Sequence, residues 1–507
     1  MKHPFAAKAS FDGADLDCGS GLLLLIRQNI DPLAPGELLE IRSREISVGE
    51  ELPAWCRMTG NELVSQLREG AEHSFLVSKG PFRGAPAPQA SRRAQPAPPP
   101  LPQPGPHASE APIARPAPAP PLPPLATMGV GSWPRPPWLL RALHEHLERR
   151  LPDAEFAQAA DDAVRLAVQA QQSAGVDVLT DGEQRRDNYA SFVGGLLEGC
   201  QLIPITDLLP YVDDPEKFRE ELRSLDVPAE RVRHPAVFGR IRRARPLAVD
   251  ELKFVQSIAP GWPIKVALPG PYLLTRTMWL ECVSDRVYAT REELAADIVL
   301  ALRAEVAELL AAGAALVQLD EPVLSEVVFG APSAQRTFMC GALGERRGPE
   351  EELGLAAELL AAVNLGPSSR AAGPARVSRQ LDAGRAGGLS GDYRPLLGLL
   401  SRAPVGTLFL ELTTPRAGEL EVLADLPADK RIGVGVVNQK SPRVESADEV
   451  FARAERAVRL FGKERVLLTP DCGFATFADN PIASAEVATG KLKAIAQAAR
   501  RLREATT

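Results

Sequence analysis

Carboxylates and a thiol recur at the ends of short apolar runs in the C-terminal part of this chain. VDVLTDGE ends in Asp181 and Glu183, ALVQLDEP in Asp320 and Glu321, GTLFLEL in Glu411, and RVLLTPDCG in Asp471 and Cys472. PIKVALPGP and RIGVGVVN have the same strand character, and long Ala/Leu/Glu/Arg-rich helices such as REELAADIVLALRAEVAELLAAG lie between the runs. Such alternation predicts parallel βαβ units. Polar residues at the C-terminal tips of these strands are where a (β/α)8 barrel does its chemistry. Each residue also has a plain reading. A single buried Cys is usually a small apolar filler, a strand-end Glu an ion-pair partner, and DGE or DEP a turn capped by its own carboxylates. A doubly wound open sheet is the competing architecture, but no GxGxxG turn supports a nucleotide-binding version.

Five motifs follow in order: GVGSWPRP (129–136), DGEQRRDN (181–188), QLDEPVLSE (318–326), GVGVVNQKSPRVES (433–446) and PDCGFAT (470–476). Weak singly, together they resemble the catalytic half of cobalamin-independent methionine synthase across nearly all of residues 128–507, in particular its short, single-barrel members. Epoxyalkane:coenzyme M transferase, a zinc-dependent thiol alkyltransferase, belongs to the same group. The resemblance implies a TIM barrel that transfers a methyl group to a thiol, by default from methyltetrahydrofolate to homocysteine. A free thiol, with a pKa near 8.5, is a poor nucleophile at neutral pH. Zinc bound to the sulfur makes it a thiolate that attacks directly.

Carried onto this sequence, the resemblance places Ser132, Glu183 and Asp320 around the amino-acid thiol. The two carboxylates suit its ammonium through charge-assisted hydrogen bonds. Lys440 stands where the family has the His of GV-x-D-I-H-S-P-R, a proton donor. Glu411 matches the family's Glu ligand to zinc, and Cys472 its last Cys. The remaining His-x-Cys pair should precede SGDYRPLL. There the chain reads GPARVSRQLDAGRAGG, with Arg376 and Ser378 at the two positions, and no histidine follows His234. Two ligands are too few for a stable tetrahedral zinc site.

The run from about Leu365 to Gly388 also lacks a strand pattern where the barrel needs a strand. The coding stretch CTG-CAC-GTG-TGT-CGC-GGC-AAC-TGG encodes Leu-His-Val-Cys-Arg-Gly-Asn-Trp, the family's usual motif. Read from the last base of the His codon, the same bases give Arg-Val-Ser-Arg-Gln-Leu, which is residues 376–381. The hypothesis is that two compensating frameshifts, in the gene or its sequencing, replaced this strand. Resequencing decides it: DNA that cannot be read as His-Val-Cys in another frame sinks the idea.

Residues 1–82 form a separate module. LLLLIRQNI reads as a helix, ELLEIRS as a strand after Pro35-Gly36, EELPAWCRMTG as a helix ending at Gly60, and NELVSQLRE and HSFLVSKG as strands. The order β-α-β-α-β-β predicts a small two-layer α/β sandwich. LD-x-G, PGELLEI and LPAWCRMTGNELV resemble the TusA family of sulfur carriers. That family's working Cys opens the first helix, whose N-terminus stabilises the thiolate. Here the stretch is shortened to CGSGLL without its proline pair, and Cys18 is the candidate persulfide carrier; Cys56 reads as packed on a helix face. Docking or regulation is the plainer role for this module. Residues 83–127 are mostly Pro and Ala, a composition that predicts a disordered, polyproline-II-like tether.

A net charge of −7 gives no basic footprint for nucleic acid or anionic membrane. The longest apolar run, Leu22 to Ile26, is far too short to span a bilayer. Six cysteines with no close CxxC pair read as reduced thiols of a cytoplasmic protein. The sequence therefore points to a thiol S-methyltransferase acting on a small molecule, with a sulfur-carrier or corrinoid protein as a conceivable partner. The alternatives are alkyl transfer to another small thiol, and an inactive barrel kept for regulation or sulfur trafficking.

Overall fold

The computed structural model describes residues 3–14, 16, 22–45, 48–69, 72–82, 117, 119–148, 150–207, 233–279, 284, 287–329, 347–363, 393–413, 420–475 and 483–505. The chain divides into two compact units, Met1–Ile113 with Thr206–Glu216, and Ala114–Ile205 with Lys217–Thr507.

The first unit runs β1 (Ala9–Asp12), α1 (Leu23–Ile30), β2 (Leu38–Ser43), α2 (Val48–Thr59), β3 (Glu62–Glu69), β4 (Glu72–Ser78). Gly60, at φ +71°, ends α2 in a left-handed conformation that needs no Cβ. The sheet order is β1-β2-β4-β3, with β1 parallel to β2 and the other pairs antiparallel. Leu39, Ile41, Phe75 and Val77 pack with Ile26, Ile30, Leu52, Trp55 and Cys56 of the helices. Cys56 is thus an apolar filler, as its place on the helix face suggested. Cys18 lies outside the described residues.

The second unit is built on a row of parallel strands. β7 (Lys265–Pro269) pairs with β8 (Leu316–Asp320), while β10 (Arg431–Val437) lies between β9 (Thr407–Leu410) and β11 (Val466–Pro470). Two short extended segments join the groups: Thr127 bridges to Leu468, Met128 to Val178, and Leu179 to Ile264. The order is therefore β8, β7, 178–179, 127–128, β11, β10, β9, all parallel, so every C-terminal tip lies on one side. β7, β8, β9 and β11 are buried along their whole length, which is why they read as continuous apolar runs. Helices follow the strands. The first long one, Asp153–Ala174, starts on two acidic residues, buries a stripe from Phe156 to Ala174, and stops at Gly175 with φ +78°.

The row curls on itself. Lys265 Nζ of β7 sits 4.7 Å from the centre of the Phe409 ring of β9, although the two are remote in pairing order. Phe409 also packs with Met128, Val178, Leu316 and Leu467. Only glycine at 433 lets the ring lie there, since a Cβ would come within 2.1 Å of Phe409 Cδ1. Among the described residues the row does not close, because β8 and β9 are unpaired with each other and residues 364–392, which include the stretch read above as lacking a strand pattern, fall outside the description.

Two expectations need correction. Leu125, Ala126 and Thr127, counted above with the tether, are each 1% exposed and belong to the second unit. Thr127 donates from N–H and Oγ1 to Asp177 Oδ2, each at 2.8 Å. Residues 83–116 of the tether lie outside the described residues. The alternating pattern also omitted an antiparallel pair, β5 (Glu198–Pro204) with β6 (Arg233–Arg242), inserted before β7.

Candidate active site

The strand tips bring most of the expected residues to one end of the row. After the segment at 178–179 the chain turns sharply through Gly182 (φ +71°) and Glu183 (φ +55°). A left-handed non-glycine residue is strained, and such strain gathers at functional sites. Asp181 Oδ1 stabilises the turn by accepting the Glu183 N–H at 3.0 Å. Gly131 makes room for the Glu183 carboxylate, because a Cβ there would lie 2.2 Å from Glu183 Oε1.

Glu183 and Asp320 are 3% and 1% exposed, and Asp181 is 8% exposed. Burial raises the Glu183 pKa. The Arg186 charge opposes this, and the neighbouring charges of Asp320 and Asp181 reinforce it, so the three carboxyl groups share one electrostatic site. Asp181 Oδ2 and Glu183 Oε2 are buried with no hydrogen-bond partner among the described residues.

The guanidinium groups nearby are largely committed, although Arg135 Nε is buried without a partner among the described residues. Arg186 donates to both oxygens of Glu251, at 3.3 and 2.6 Å, and to the Ala267 carbonyl at 2.8 Å; its Nη1 stands 4.0 Å from Glu183 Oε1. Burial opposes the Arg186 charge, but Glu251, Asp181 and Glu183 outweigh it and hold the group protonated. Arg135 donates to the carbonyls of Glu183 and Arg186, both at 2.7 Å, and of Ala475 at 3.4 Å. One buried side chain thereby ties the DGE turn to the PDCG loop.

Ser132 faces that loop. Its Oγ accepts the Ala475 N–H at 3.3 Å and its carbonyl accepts the Phe474 N–H at 3.0 Å. Gly473 is required for the approach, as a Cβ would sit 2.1 Å from Ser132 Oγ. Ser132 thus lies beside Cys472, a buried thiol outside any disulfide.

The strand tips that carry Glu411 and Cys472 are tied by Asp471. This carboxylate, 4% exposed, accepts the N–H of Leu412 at 2.9 Å and that of Thr413 at 3.2 Å, and also the Thr413 hydroxyl. It clamps the tip of β9 to the tip of β11 over β10, where Gly435 leaves space that a Cβ would fill at 2.1 Å from Asp471 Oδ1. Burial pushes the Asp471 pKa up to about 6, against its hydrogen bonds and the charge of Lys440. Lys440, half-buried after β10, therefore stands within electrostatic reach of the same end, its N–H bonded to Asn438 Oδ1 at 2.9 Å.

The plain reading of DEP holds for Glu321 and not for Asp320. Glu321 accepts the N–H groups of Tyr272 and Leu273, at 2.8 and 2.7 Å, and so caps the helix Pro271–Met278. Burial raises its pKa to about 8 in spite of those bonds. The sequence reading gives no role to Arg135 and Arg186, which lie inside quoted motifs, and names Asp471 only as a strand-end carboxylate. Arg376 and Ser378 are outside the described residues; among the described residues no group of three or more His, Cys, Asp or Glu side chains is placed to hold a metal ion.

The chain is similar to known proteins. A methionine synthase of Saccharolobus solfataricus is 26% identical over 387 residues, covering 76% of this chain and 96% of the relative. A 5-methyltetrahydropteroyltriglutamate–homocysteine methyltransferase of Thermosynechococcus vestitus is 29% identical over 358 residues, 70% of this chain and 41% of that longer protein. The solved structure of a B12-independent methionine synthase from Shewanella sp. W3-18-1, in complex with selenomethionine, shares the fold with a TM-score of 0.56 at 22% identity, covering 76% of this chain and 99% of that one. The family model for the cobalamin-independent synthase catalytic domain matches residues 125–347 and 392–500, on either side of the altered stretch, and the chain belongs to that family.

Proposed function

We propose that this methyltransferase of the methionine-synthase type takes homocysteine as acceptor and a methyltetrahydropteroyl compound as donor. One observation carries the acceptor: Asp181 Oδ2 and Glu183 Oε2 are buried acceptors with no donor among the described residues, beside Asp320. Buried acceptors left unmade cost about 1–3 kcal/mol each. An amino-acid ammonium supplies three donors and a compensating charge. Arg135 and Arg186 direct most of their donors to backbone carbonyls and Glu251, and so hold the pocket's shape. The names of the relatives favour the same substrates.

In the reaction a bond forms from sulfur to the methyl carbon as the methyl–nitrogen bond of the donor breaks. The thiol must lose a proton and the nitrogen must gain one. Lys440 is the proposed source of that proton, at the end of β10. Family membership would close the row into a (β/α)8 barrel with one more strand between β8 and β9.

The donor set does not fit the family's zinc. Glu411 and Cys472 provide two ligands, and Arg376 and Ser378 provide neither imidazole nor thiolate, whereas a thiol-binding zinc takes three protein ligands and one open position. No step is therefore assigned to metal in the chain as written. This mismatch favours a second reading, a barrel that binds the amino acid without turning it over. The N-terminal unit, similar to sulfur carriers in its motifs, is a docking module in either reading.

Calorimetric titration with methionine tests the pocket. Asp320→Asn and Glu183→Gln should each weaken binding by about 10–100-fold, the loss of one charge-assisted hydrogen bond. Unchanged affinity in both would remove the amino acid from this site.

A further inference from the structure

Beneath the amino-acid pocket lies a buried relay that the proposed chemistry does not use. Side chains alternate along a strand, so Leu316, Gln318 and Asp320 of β8 share one face. Leu316 packs in the interior cluster with Phe409 and Met128, Asp320 is at the tip, and Gln318, fully buried, lies between them. Gln318 Nε2 donates to Asp320 Oδ1 at 2.6 Å. On its other side Gln318 Oε1 accepts from Lys265 Nζ at 2.8 Å. Lys265, 1% exposed, also donates to the Gly129 carbonyl at 2.7 Å and lies over the Phe409 ring.

The order of these bonds has a direction. An ammonium only donates. Lys265 therefore forces the carbonyl oxygen of Gln318 toward itself, and the amide nitrogen must point at Asp320. The alternative amide orientation would set two donors against each other and leave Asp320 facing an acceptor. Lys265 is fixed in turn by the strand that carries Ser132 and by the aromatic face of β9.

We infer that Lys265 and Gln318 are positioning residues: together they set the rotation of the Asp320 carboxylate, and with it the geometry that selects an ammonium-bearing ligand. Neither residue needs to touch the ligand. This rests on the amino-acid reading of the pocket. It extends that reading from the residues at the rim to a layer below them, and it predicts a selectivity effect rather than a general loss of binding.

The experiment uses the full chain and two probes, methionine and its desamino analogue 4-(methylthio)butanoate. Gln318→Glu keeps the size of the side chain and its bond to Lys265 but removes the donor facing Asp320. Lys265→Met removes the group that orients the amide. Each is expected to weaken methionine roughly tenfold, while the desamino analogue changes less than about twofold, so the ratio of the two affinities collapses. Equal loss of both probes would mark a merely structural role and overturn the inference. So would a selective loss in Asp320→Asn with none in Gln318→Glu or Lys265→Met, which leaves the amino-acid reading standing. If Asp320→Asn is itself unselective, that reading falls and takes the inference with it. Should Lys265→Met not fold, the isosteric Gln318→Glu decides alone.

Discussion

The two halves of the site differ in how completely they are built. Around Asp181, Glu183 and Asp320 nearly every polar group is answered: Arg186 by Glu251, Arg135 by three carbonyls, Gln318 by Lys265. Among the described residues Asp181 Oδ2 and Glu183 Oε2 are left over as acceptors, and Arg135 Nε as a donor. At the other half, Asp471 ties the backbone after Glu411 to the strand tip that carries Cys472, yet these two proposed donors are half of what a tetrahedral ion requires. On the proposed reading, the framework for gripping the substrate is complete, whereas the one for activating its sulfur lacks the two ligands expected at Arg376 and Ser378. Local clamps can therefore survive intact next to a missing neighbour, because each is held by its own strand tips.

Replacing Ala375–Asp382 with Leu-His-Val-Cys-Arg-Gly-Asn-Trp should produce the largest change. Zinc content measured by plasma emission should rise from near zero to about one per chain. Methyl transfer to homocysteine should rise by roughly a thousandfold or more, as a metal contributes several kcal/mol to such a step. Tight stoichiometric zinc in the unaltered chain would break the contrast outright.

Stability should separate the halves next. Arg186→Met strands Glu251 without its partner in the interior, at a cost of about 3–5 kcal/mol. Asp471→Ala frees two backbone N–H groups near the surface of the row and should cost about 1–3 kcal/mol. Urea denaturation of both variants checks the ranking, and a reversed order would mean that the clamp at Asp471 is the stronger device.

The smallest effect is on pH. Glu321 and Asp471 both have folded-state pKa values above the ordinary ones, near 8 and near 6. A group of this kind contributes stability that is fully present below its unfolded pKa and is lost as pH rises through the folded value. Stability should thus fall from about pH 4 upward, steeply to about 6, where the Asp471 loss is complete, and more gently from about 6 to 8, where Glu321 alone still contributes, then level off. Glu321→Gln should flatten the curve between about pH 6 and 8. A denaturation midpoint that falls equally between about pH 6 and 8 in this variant and in the parent would remove Glu321 as the cause.

The sequence made the parallel strands legible because burial on both faces leaves a continuous apolar run, as in KVALP and LVQLD. The inserted hairpin escaped notice for the opposite reason. EGCQLIP is mostly half-buried, and RHPAVFGRIR mixes Pro, a buried His and three Arg into its pattern. The motif residues Ser132, Glu183, Asp320 and Cys472 could be named from type and spacing. Arg135 and Arg186 could not be given roles, since their partners lie far along the chain: Ala475 is 340 residues from Arg135, and Glu251 is 65 from Arg186. Asp471 was visible as a strand-end charge, but only the fold shows that it reaches across β10 to Leu412 and Thr413.

The pairing of Thr127 with Leu468 joins a segment made early to one made almost last. During synthesis, the first extended segment must wait on the ribosome through more than 300 residues for this neighbour. The reading frame must accordingly be correct both before and after the altered stretch, since a single uncorrected slip would abolish β9, β10 and β11 and leave residues 125–128 with an exposed edge. A chain that folds as described has, in effect, already been proofread on both flanks of residues 364–392.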